Sequence, residues 1–107
     1  ETAKSIEVEG HTFKLVRITE ETIEYRSSKK FHSHAVLIQN RKSGTWTGSL
    51  TVKTLSKPLS TMLNWHQPCG ALNELCDDLV HILGEDKARL LLSFRLKGNN
   101  TMANPNP

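Results

Sequence analysis

The chain has 107 residues, 36% of them hydrophobic, which suits one domain with a modest core and excludes a multidomain array. No run approaches the roughly 18 apolar residues of a membrane span, and two cysteines exclude a disulfide framework. The net charge of +3 hides an uneven distribution: residues 1–24 carry −3, residues 25–73 carry +7 with no acidic residue, and residues 74–107 carry −1. A block of that kind attracts polyanions and repels cations.

Residues 6–8 read as a short strand, and Gly10-His11 turns the chain. Residues 12–19 alternate in a β-branched and aromatic context, which predicts a second strand. Glu20-Glu21 forms a turn, and residues 22–26 return as a third strand. A polar break follows at residues 27–30. Residues 33–53 read as a hairpin, because Asn40, Ser43 and Gly44 supply turn chemistry around Arg41-Lys42. Trp46, Leu50 and Val52 share one face of its second strand, with Gly48 placed as a bulge.

Beyond Ser56 the period changes. Ser56 caps and Pro58 fits a first turn, so residues 58–65 predict a short helix. Pro68 and Gly70 interrupt it. Leu72, Leu75, Cys76, Leu79, Ile82 and Leu83 then form an apolar stripe that predicts the main helix over residues 71–83, stopped by Gly84. Glu74, Asp77 and Asp78 lie off the stripe, where they would complement the helix dipole. Residues 89–96 alternate leucine with other residues and are assigned a strand in preference to a helix.

The expected fold is α+β. A mostly antiparallel sheet of four to six strands packs on one main helix in the C-terminal half, with a short helix before it. A single α+β domain spans residues 1–97, and residues 98–107 form a polar tail. One sheet face packs on the helix, which leaves the other for a partner.

Cys69 and Cys76 fall seven positions apart on one helix, roughly 10 Å between Cα atoms, beyond disulfide reach. Free thiols point to a reducing compartment, hence an intracellular, cytoplasmic protein. His66, Cys69, Cys76 and His81 are zinc-ligand types, but Cys76 and His81 lie about 140° apart on a helix, so no metal or cofactor is expected. A Cys69–His66 nucleophile lacks an orienting third group. Neighbouring carboxylates at Glu20-Glu21, Asp77-Asp78 and Glu85-Asp86 read as solvated faces and caps. A helix-turn-helix with residues 71–83 as recognition helix would present acids to phosphate, which excludes it.

The expected function is therefore non-enzymatic. The basic face of residues 25–57 would contact nucleic acid, with Lys29, Lys30, Arg41, Lys42, Lys53 and Lys57 on phosphate and Trp46 stacking on bases. The competing reading is a protein-interaction module, an inhibitor or adaptor that docks an acidic or nucleic-acid-handling partner. The two readings share one requirement, an accessible cationic face.

Overall fold

The structure is a computed structural model that describes residues 2–28 and 33–92. Among these, six strands form one antiparallel sheet in chain order: β1 Ser5–Val8, β2 His11–Ile18, β3 Thr22–Ser27, β4 Ser33–Asn40, β5 Trp46–Val52 and β6 Leu59–Ser60. Two helices follow, α1 Pro68–Leu83 and α2 Glu85–Leu91. The α+β expectation holds, with the larger helix packed on the sheet through β5, β4 and β6.

Local chemistry explains the hairpins. Glu9 and Gly10 take φ of 54° and 81° between β1 and β2, the left-handed pair of a tight turn that matches strand twist. Between β4 and β5 the Asn40 Oδ1 accepts from the amides of Lys42 (2.9 Å) and Ser43 (3.0 Å), and Gly44 closes the turn at φ 78°. The alternation inside β4 and β5 sends Ala35, Leu37, Trp46, Leu50 and Val52 to one side, into a single cluster with Leu72, Leu75 and Leu79. Leu75 and Leu79 are fully buried, as the stripe requires.

Gly48 has a different role from the expected bulge. A β-carbon there would stand 2.8 Å from the Val36 carbonyl oxygen and 3.3 Å from Leu75 Cδ1, so its absence lets α1 settle on the sheet. The register shift lies instead on β2, between Leu15 and Arg17.

Three further expectations are corrected. Residues 58–65 contain no helix. Leu59 and Ser60 pair with Leu50 and Ser49 as β6, and Met62 is 86% exposed. Beyond β6 the pairing continues irregularly: the Thr61 amide donates to the Gly48 carbonyl (3.0 Å), and Trp46 and Trp65 exchange backbone hydrogen bonds. Completing the sheet edge outweighs a helical spacing carried by only three apolar residues, and among the described residues no helix stands before Pro68 to make a helix-turn-helix.

Residues 89–91 are helical rather than extended, and residues 93–96 lie outside the described residues, as does the 98–107 tail. Ala88 and Leu92 enter the core one turn apart while Leu90 is 74% exposed, a helical pattern supported by the Glu85–Arg89 ion pair at 2.6 Å.

Finally, α1 begins at Pro68, so its acids fall beyond the first turn and do not serve the dipole. Glu74 is buried. It accepts from the Trp65 indole N–H (2.8 Å) and the Met62 amide (2.7 Å), which ties the irregular segment after β6 to the helix. One turn on, burial and then the charges of Glu74 and Asp77 push the Asp78 carboxyl up from its ordinary value, with His81 opposing.

Candidate polyanion-binding face

Directly paired residues in a sheet point to the same side. The register therefore defines the face that α1 leaves bare. One row crosses all six strands through Ser5, Lys14, Arg26, Val36, Ser49 and Ser60. It contains two cations, three serines, a valine and no carboxylate. The next row runs through Arg17, Glu24, Ile38 and Thr47, where the Arg17 Nε lies 3.6 Å from Glu24. Lys14 and Arg26 stand directly opposite each other, and both are exposed. Like charges in that relation repel. Their juxtaposition is unfavourable in the free protein, and an anion between them would relieve it.

The predicted contact residues are distributed differently from a single patch. Arg41 and Lys42 project from the β4–β5 turn, and Lys53 and Lys57 follow the far end of β5. The seven residues of β5 separate these two pairs by roughly 20 Å. Lys29 and Lys30 lie outside the described residues.

Trp46 requires a correction. It is 7% exposed, on the helix side, with its ring centroid 6.0 Å from that of Tyr25. A stacking role needs a free ring face, and this one is packed. Phe13, Tyr25 and Trp65 are also buried, so among the described residues no Phe, Tyr or Trp is available to stack on a base.

Lys14, Arg17 and Arg26 were not among the candidate residues that the sequence offered. Lys14 and Arg17 sit in a segment of net charge −3, which conceals them in any block count. Their signal was local: Lys14 alternates with Phe13 and Leu15, which places it opposite the core.

The β4–β5 turn docks on the β2–β3 turn. The Arg41 guanidinium donates to the Thr19 carbonyl at 2.7 Å, and its amide to the Glu21 carbonyl at 2.9 Å. Lys42 shares a cleft of about 370 Å³ with Glu20, Glu21, Thr22 and Asn40. Arg41→Ala should therefore cost on the order of 1 kcal/mol through the lost Thr19 bond. Lys42→Ala should stay within about 0.5 kcal/mol, as exposed charges do. Urea titrations of the two variants will rank them, and a larger loss for Lys42 would contradict this division of labour.

The cysteines are both free. Burial, and secondarily Asp77, pushes the Cys76 thiol up to about 12, so it stays protonated and shielded at neutral pH. Cys69 is partly buried, and its thiol donates to the Gln67 Oε1 at 3.6 Å rather than to His66. A thiol-reactive chromophore should label Cys69 in the native protein and Cys76 only after denaturation. Rapid labelling of both would contradict the packing of α1. Among the described residues no three His, Cys, Asp or Glu side chains group to hold a metal ion, and no helix is long and apolar enough to cross a membrane.

No family model, curated protein or solved structure matches this chain.

Proposed function

We propose that this is an intracellular, cytoplasmic binding domain without catalytic chemistry, which lays the phosphate backbone of a nucleic acid across its open sheet face. The observation that carries the reading is the Lys14–Arg26 pair, set among serines in a row free of carboxylates. Lys53 and Lys57 extend the field beyond one end of the face, and Arg41 and Lys42 beyond the other. Cations spaced along a face suit a linear polyanion better than a compact anion. Because the described aromatics are buried, affinity comes from phosphate contacts and counterion release, which tolerates sequence.

A second reading is supported by Val36 and Ile38, half-buried at the middle of the same face. An acidic protein partner would cover them and pair with the surrounding cations.

Titrating a short oligonucleotide into 15N-labelled protein separates the two. The nucleic-acid reading expects shifts at Lys14, Arg26, Val36 and Ser49, with α1 silent. Shifts confined to α1, or none at low salt, would overturn it in favour of the protein partner.

A further inference from the structure

We infer that the turn end of the open face holds a subsite for one unpaired nucleobase, an inference that rests on the nucleic-acid reading. A cleft of about 320 Å³ opens there between β3, β4, β5 and the segment before α1, lined among others by Ile38, Asn40, Thr47 and Asn64. Its size lies at the small end of ligand sites, which run from roughly 300 to 1,000 Å³. It is large enough for one base and too small for a duplex.

The lining matches a base rather than a phosphate. Lys42 is not in it, and its residues are uncharged. Ile38 offers an apolar surface for a flat ring. Around it stand a hydroxyl and two amides with unused capacity. Asn40 spends its Oδ1 on the Lys42 and Ser43 amides, which leaves its Nδ2 as a donor. Thr47 and Asn64 make no side-chain hydrogen bond among the described residues. Amides present a donor and an acceptor together, the pattern that base edges offer. Ile38 lies two residues along β4 from Val36, in the Lys14–Arg26 row, a separation of roughly 7 Å. A strand whose phosphates rest on that row therefore reaches the cleft with a base.

A base can enter only when it is unpaired. A duplex would have to extrude it, at a cost of a few kcal/mol. The cleft therefore gives the face a preference for single strands that the cations alone do not.

The test is a fluorescence titration of a short single strand and the duplex of the same sequence, with wild type and the Thr47→Val/Asn64→Ala variant. Among the described residues these two side chains make no hydrogen bond, so an unchanged melting temperature is expected and serves as the folding control. Losing two hydrogen bonds should weaken single-strand binding about tenfold. Duplex affinity and the slope of affinity against salt should not change. Equal losses for both ligands, or no loss, would overturn the subsite while leaving the phosphate-binding face in place. Absence of binding to either ligand by wild type would overturn that face, and the subsite with it.

Discussion

Glu74→Ala should lower the free energy of unfolding by about 1–3 kcal/mol, the cost of orphaning the buried Trp65 donor, with the part-buried Met62 amide adding less. The carboxylate is 4% exposed and joins two donors from a segment with no regular structure: the Trp65 indole N–H and the Met62 amide. Alanine leaves both without an acceptor. Water cannot easily replace the carboxylate at Trp65, which is 1% exposed. Glu74→Gln should lose less, because its amide oxygen still accepts one of the two bonds while its NH2 faces the other donor. Trp65→Phe removes one donor and should make a subsequent Glu74→Ala change cheaper. Denaturant melts of these variants give the coupling directly. A loss below about 1 kcal/mol for Glu74→Ala would mean that the segment is held by its bonds to β5 instead, between Thr61 and Gly48 and between Trp46 and Trp65.

The second large effect concerns the open face, where binding and stability should move in opposite directions. Lys14→Glu converts a repulsive cross-strand pair with Arg26 into an attractive one. Cross-strand charge pairs are worth roughly 0.2–1 kcal/mol, and exposure puts this one at the low end. The variant should therefore melt at or slightly above wild type. Its affinity for nucleic acid should fall, with the salt slope reduced by about one phosphate contact. Lys14→Glu/Arg26→Glu should lose on the order of 100-fold at low salt, as two attractive charges become repulsive. A residue pair that costs stability while free and supports affinity when bound is the signature expected of a contact site. Loss of stability together with unchanged affinity would show that Lys14 and Arg26 serve the sheet instead.

The three hairpins were legible because each strand alternates and each turn carries its own chemistry, although the first turn was read at Gly10-His11 and lies one residue earlier, at Glu9-Gly10, with the others at Glu20-Glu21 and Asn40 to Gly44. The main helix was legible from its stripe, although Pro68 and Gly70 disguised its first turn. Gly70 is there because a β-carbon would run into the Trp65 ring, a tertiary reason invisible in the sequence. β6 was missed because two residues carry no period, and its pairing with β5 is set by an unfilled edge. The Lys14–Arg26 row was missed for a related reason. Lys14 and Arg26 are twelve positions apart, and only the β2–β3 register brings them face to face. A charge count along the chain finds the block but not the pair, and it ranks Trp46 by type when burial decides its role.

The most direct test of the open face is the affinity of the wild-type protein for a short single-stranded oligonucleotide across a salt series, read by fluorescence anisotropy. If phosphates rest on the Lys14–Arg26 row and the flanking cations, the logarithm of affinity falls linearly with the logarithm of salt, and the slope becomes shallower in Lys14→Glu. Affinity that is independent of salt, or absent at low salt, would contradict a phosphate-binding face.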